Sequence, residues 1–214
     1  MIDPKTEVHL YLIRHGESHM NLNPHLIGGQ SLETPLSQAG EDQCTALYKY
    51  FFSRKVDFDY AYSSHLVRVK ITARFVLGPN APVIVIDKRL AEYSAGEWEG
   101  RPRHAVHTPE VLYQMAEMGI DFQPPGGESQ RQVITRVSEF LNEAVLNNQN
   151  VLEAGKRINI AFFSSGLTIK SLLQHILEFD SRFIWRMKID NCSVSELIYN
   201  SRGWWPQYIN RVPY

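Results

Sequence analysis

The chain has 214 residues, enough for one substantial hydrophobic core or two small ones. Hydrophobic residues make up 43% and charged residues 21%, a globular rather than a disordered composition. With 22 basic against 23 acidic residues the net charge is −1, which argues against an electrostatic binder of nucleic acid or membrane and leaves anion recognition to locally placed arginines.

Val8 to Ile13 reads as a strand apolar on both faces, the kind buried inside a parallel sheet, and it runs directly into Arg14-His15-Gly16. Residues 18–36 form a long loop rich in Asn, Gly and Pro, and a loop of that length in a compact domain is usually functional. Ser37 is placed to cap a helix with Glu41 and Asp42 in its first turn and Cys44, Leu47, Tyr48 and Phe51 on one face. Asp57 to Ser63 is a second strand, followed by a helix from Ser64 to about Leu77. Pro82 to Ile86 is a third strand. Residues 87–108 are irregular and charged, and Pro109 to Met118 is a short helix with proline at its start.

After a Pro/Gly loop a long helix starts at Glu128, carrying Val133, Ile134, Val137, Phe140, Leu141 and Ala144 at helical spacing. Arg157 to Phe163 is a fourth strand and Leu167 to Phe179 a helix, with a further short helix at Arg182 to Met187. Ser193 to Tyr199 and Trp204 to Asn210 close the chain as two strands joined by a turn. The alternation predicts a single α/β domain over residues 1–214, a three-layer sandwich with a mostly parallel central sheet and helices on both faces. In such a sheet, Arg14-His15-Gly16, the stretch from Ser63 to Arg68 and Ser164-Ser165-Gly166 share one edge.

Two arginines beside a histidine suit a phosphoryl group, because guanidinium forks match phosphate oxygens and stay charged. Helix starts after Ser64 and Gly166 would add N–H donors. A neutral imidazole can attack phosphorus, and a nearby carboxylic acid, for which Glu92 is the candidate, can protonate the leaving oxygen. Cys44 and Cys192 have no C-x-x-C or zinc spacing and read as buried thiols of a reducing compartment. His104 and His107 lack a third ligand, so no metal is expected. Met1 to Lys5 open no signal peptide and no apolar run nears the roughly 20 residues that span a bilayer, so a cytoplasmic location is expected.

Five blocks then carry a resemblance. Leu12-Ile13-Arg14-His15-Gly16-Glu17-Ser18 with Asn21, the stretch Leu36 to Gln43, the stretch Tyr62 to Ala73, Leu90 to Gly100, and Pro125-Gly126-Gly127-Glu128-Ser129 resemble, in order, the motifs of the histidine phosphatase superfamily, the phosphoglycerate-mutase-like proteins. The resemblance implies His15 as the phosphorylated nucleophile, Arg14 and Arg68 as the phosphate clamp, and Glu92 as the proton donor. It also implies that Asn21, Gln30 and Gly166 help to hold the substrate. Where the family carries a second histidine on the fourth strand's end, this chain has Ser165, which offers a hydroxyl but no positive charge. The implied activity is a phosphomonoesterase on a small phosphorylated metabolite, with inorganic phosphate as product and no cofactor. The alternatives are a weak or inactive phosphate-binding module, and a phosphoglycerate mutase or fructose-2,6-bisphosphatase-like enzyme. A homodimer is compatible with this reading.

Overall fold

Alternation along the first strand decides the layering. In the computed structural model, which describes residues 2–79 and 81–213, strand β1 (Glu7–Arg14) sends Val8, Leu10 and Leu12 to one face and Tyr11 and Ile13 to the other. Both sets are buried, so helices must cover both faces. Helix α1 (Gln38–Ser53) and helix α2 (Val67–Leu77), on either side of strand β2 (Tyr60–Ser63), cover the Tyr11 and Ile13 face. Strand β3 (Ile84–Ile86) follows, and the short helices α3 (Arg103–Val106) and α4 (Pro109–Met118) lie in the long excursion after it. Helix α5 (Gln130–Leu141) and the short α6 (Gln149–Leu152) lead to strand β4 (Arg157–Ser164) and helix α7 (Gly166–Leu177). Side chains of α5, α6 and α7 cover the Leu10 and Leu12 face. Strands β5 (Val194–Asn200) and β6 (Gly203–Arg211) complete a six-stranded sheet of order β3-β2-β4-β1-β5-β6. Only β5 runs against the rest, so the sheet is mostly parallel, as expected.

Helix starts follow their caps. Ser37 accepts the Gly40 N–H, Thr108 accepts the Val111 N–H ahead of a first-turn proline, and Ser129 with Gln132 closes a reciprocal capping box. That box moves the α5 start from the expected Glu128 to Gln130, and freed Glu128 pairs with Arg136 at 2.8 Å. α5 then widens into a π-turn at Asn142–Leu146 that keeps Ala144 and Val145 buried.

Three expected boundaries are corrected. β2 starts at Tyr60, not Asp57, because Asp59 and Asp57 take the backbone and side-chain N–H groups of Asn159, both at 2.8 Å. α2 starts at Val67, not Ser64, because Leu66 is extended. The expected helix from Arg182 to Met187 is one 3-10 turn, Ser181–Phe183. Among the described residues no helix is long and apolar enough to cross a membrane.

Candidate active site

Register places the three motif-bearing strand ends together. Arg14 on β1 pairs with Ser164 on β4, and Phe163 pairs with Ser63 on β2. Loops leaving these ends meet at one edge of the sheet, and a cavity of about 290 Å³ opens there, lined by Arg14, His15, Arg68 and Glu92 among others.

His15 is buried, with Nδ1 2.7 Å from the Gly16 carbonyl oxygen. A carbonyl only accepts, so Nδ1 carries the proton and Nε2 keeps its lone pair. Arg68 Nε donates to that Nε2 at 3.3 Å. Burial, then the positive charges of Arg14 and Arg68, hold the imidazole well below the usual histidine value of 6.5, against a weaker opposing pull from the Gly16 bond. The ring is therefore neutral, with a fixed tautomer.

The backbone behind the ring is fastened on several sides. Gly16 N–H donates to Thr72 Oγ1 at 3.0 Å, while Asn191 Nδ2 and the Cys192 N–H donate to the His15 carbonyl at 3.0 and 3.2 Å. A Cβ on Gly16 would strike the Gly40 carbonyl, and one on Gly40 the Glu17 carbonyl, so the turn packs backbone on backbone against α1. Cys44 and Cys192 are both buried free thiols, as expected, and lie 3.5 Å apart.

The two arginines are held differently. Arg14 Nη1 donates to the Ile189 carbonyl at 2.6 Å, and its buried Nε has no partner. Arg68 donates to the carbonyls of Gln30, Ser31 and Gly29 at 2.7, 3.0 and 3.3 Å. Burial pulls both guanidinium values below the usual arginine value. The 29–31 turn is itself clamped by Glu99, whose carboxylate accepts the N–H groups of Gln30, Ser31 and Ala95 at 2.9, 3.1 and 3.2 Å. Glu99 thus positions Arg68 without reaching His15, a role that sequence reasoning missed. Its place in the Trp98-Glu99-Gly100 block was the available signal. Glu99→Ala should lower kcat/KM by about 10- to 100-fold, the worth of a charge-assisted hydrogen bond, and Glu99→Gln should recover most of it. Steady-state kinetics on both variants checks this.

Glu92 stands on the cavity wall, where its carboxylate accepts the N–H groups of Tyr93 at 2.9 Å and of Leu167 and Thr168 at 3.3 Å. Arg136 fixes the preceding chain through the Arg89 and Glu92 carbonyls at 2.6 and 3.3 Å. Part of the N–H set expected from the helix starts is committed inside the protein: the Leu167 and Thr168 N–H groups of α7 go to Glu92, and the Val67 N–H of α2 goes to the Leu32 carbonyl at 3.1 Å.

Asn21 lines the cavity, with Oδ1 taken by Ser18 and Asn191. Gln30 is off that wall: its amide donates to the Glu92 carbonyl at 3.2 Å and its own carbonyl receives Arg68. Gly166 opens α7 beside Arg14, where a Cβ would sit 3.6 Å from Nε. Ser165 precedes it at the helix cap, fully buried, its Oγ without a partner. Ser165 Oγ and Arg14 Nε are thus two buried, uncommitted polar atoms on either side of Gly166.

The family profile described as histidine phosphatase superfamily (branch 1) matches residues 10–212. The chain belongs to that superfamily. Among histidine phosphatase relatives, the chain is 35% identical over 136 residues to the fructose-2,6-bisphosphatase TIGAR B of Danio rerio. That match covers 62% of this chain and 51% of the relative, so it spans about half of the relative's length. The probable phosphoglycerate mutase GpmB of Salmonella choleraesuis is 30% identical over 197 residues, covering 91% of this chain and 86% of the relative. The putative alpha-ribazole-5'-P phosphatase of Escherichia coli shares the fold at a TM-score of 0.81 and 25% identity, covering 96% of this chain and 97% of that one. The histidine phosphatase fold expected from the five sequence blocks is therefore the observed one.

Proposed function

We propose that the chain is a phosphomonoesterase acting on a phosphorylated metabolite through a phosphohistidine on His15. The observation that carries this reading is the neutral His15, whose Nε2 accepts from Arg68 Nε at 3.3 Å on the wall of a cavity that Arg14 and Arg68 also line. In the first step Nε2 bonds to phosphorus as the P–O bond to the leaving group breaks, and the departing oxygen takes a proton from Glu92. In the second step water attacks the phosphohistidine, Glu92 takes a proton from that water, the P–N bond breaks and inorganic phosphate leaves. Among the described residues lining the cavity, Glu92 is the only carboxyl group. Arg14 and Arg68 stabilise the charge on the phosphoryl oxygens throughout. Asn21 contacts the substrate from the wall, while Gln30 and Gly166 act indirectly, through Arg68 and by leaving room beside Arg14.

Names of relatives point to phosphatases and to a mutase, and the largely uncharged stretch from Ala105 to Pro124 supports the phosphatase branch. Rapid quenching during turnover should trap a phosphoryl group on the peptide carrying His15. Interconversion of phosphoglycerates without net phosphate release would overturn the phosphatase assignment.

The lowered His15 value sets a pH dependence. The nucleophile stays neutral well below 6.5, so kcat/KM should show no histidine limb between about pH 6 and 7. Stability follows the same sign. The unfolded chain takes this proton first as pH falls, so His15 destabilises the fold from about pH 6.5 downward and contributes nothing above it. A pH–rate profile beside denaturant midpoints on the same buffers checks both.

A further inference from the structure

The cavity around His15 does not end at the phosphate-binding residues. Tyr93, Arg103, His107, Met115, Leu167 and Trp185 line both it and an adjoining cavity of about 530 Å³. Ile120 and Phe122 make the far wall of that second space apolar, and Phe122 packs on Trp98 with ring centroids 5.6 Å apart. Trp185 stands at the boundary with 65% of its surface exposed.

Several polar groups interrupt this lining, among them His107, Ser181, Arg182 and Gln130. Gln130, at the start of α5, is 4% exposed, yet its Nε2 has no hydrogen-bond partner and the residue lies on the wall of the second cavity. A buried donor without a partner is costly, and an acceptor on a molecule in the adjoining cavity would relieve that cost. Arg103, held by its Nε to the Pro24 carbonyl at 3.0 Å, is a cation at the junction. A small polar leaving group would fit the first cavity alone and leave the aromatic surface of the second in water.

We infer that the second cavity is the leaving-group subsite, and that the substrate's alcohol portion carries a planar aromatic group with a hydrogen-bond acceptor directed at Gln130 Nε2. The inference rests on the phosphatase reading above and narrows it to phosphomonoesters of aromatic or heteroaromatic alcohols rather than of small sugars.

Naphthylethyl phosphate and ethyl phosphate test it, because both leave as primary alkoxides and differ only in the group offered to the subsite. Wild-type kcat/KM should be at least about 100-fold higher for the naphthyl compound. Quinolinylethyl phosphate should gain about a further fivefold through its ring nitrogen, an advantage that Gln130→Leu removes. Ala116 lies exposed on α4 at the wall of the second cavity, so Ala116→Glu should fold and pull the naphthyl-to-ethyl ratio toward one. Equal hydrolysis of both phosphates by the wild type overturns the subsite while the phosphatase reading stands. If neither is hydrolysed, calorimetry with the matching phosphonates decides. Tighter binding of naphthylethylphosphonate keeps the subsite and overturns only the catalytic reading, and equal binding overturns both.

Discussion

Replacing His15 by alanine should reduce phosphate release by at least about 10⁴-fold, because His15 is the imidazole that lies in the field of both Arg14 and Arg68, whereas His107, the other imidazole lining the cavity, sits edge-on to Trp98 where the second cavity begins. The fold should survive. The imidazole makes one hydrogen bond to its own neighbour's carbonyl and one long one to Arg68, whereas Arg68 keeps three further carbonyl acceptors without it. Removing a depressed-pKa histidine also removes its acid-side destabilisation, so the variant should lose less stability than the wild type between about pH 6 and 5. Release of phosphate from a generic aryl phosphate, read beside circular dichroism, separates loss of chemistry from loss of structure. Hydrolysis that persists in His15→Ala would place the nucleophile elsewhere.

Restoring the imidazole that the superfamily pattern carries at position 165 should have the opposite effect. Ser165→His should raise kcat about 100- to 1,000-fold, the worth of one preorganised donor in a transition-state site. Because Ser165 is fully enclosed, the larger ring costs about 1–3 kcal/mol of packing strain, visible as a lowered Tm. A companion variant isolates the native hydroxyl. Ser165→Ala removes an oxygen that has no partner, so stability should hold or rise slightly. Its kcat should fall about 3- to 10-fold if that hydroxyl donates to the phosphoryl group. A folded Ser165→His protein with no gain in kcat would mean that Arg14 and Arg68 already supply the charge the reaction needs. No hydrolysis by either Ser165→His or the wild type would favour a phosphate-binding role over catalysis.

Much of this arrangement was legible because its signals are short-range or periodic. The two apolar faces of β1, the Ser37 cap and the proline at the start of α4 follow from local pattern, and the strand ends then had to share an edge. What was not legible depends on partners far apart in the chain. The Trp98-Glu99-Gly100 block marks Glu99 but does not say that its carboxylate meets the turn at Gln30 and Ser31, 69 and 68 residues earlier. The same holds for Thr72 receiving the Gly16 N–H, and for Glu92 taking the first donors of α7. Trp185 lies inside the stretch read as a short helix, and nothing in its spacing tied it to the cavity. For Gln30 the motif marked the position, but only the folded chain shows that its carbonyl receives Arg68.

The attachment of β1 bears on the order in which the site can come into being. Arg14 and His15 are synthesised well before the groups they bind: their backbone N–H groups donate to the Ser193 and Ser164 carbonyls, and the Arg14 side chain donates to that of Ile189. The neighbours of β1 in the sheet are β4 and β5, each roughly 150 to 190 residues downstream. Closing loops of that span is slow and is rewarded only when the last elements arrive. Helices α1 and α2 can form and pair while synthesis continues, but the surroundings of His15 wait. A nascent chain carrying every residue through β4 still lacks the carbonyl that aims Arg14 and the Asn191 amide behind His15, so the site is complete only once residues 189–191 have docked.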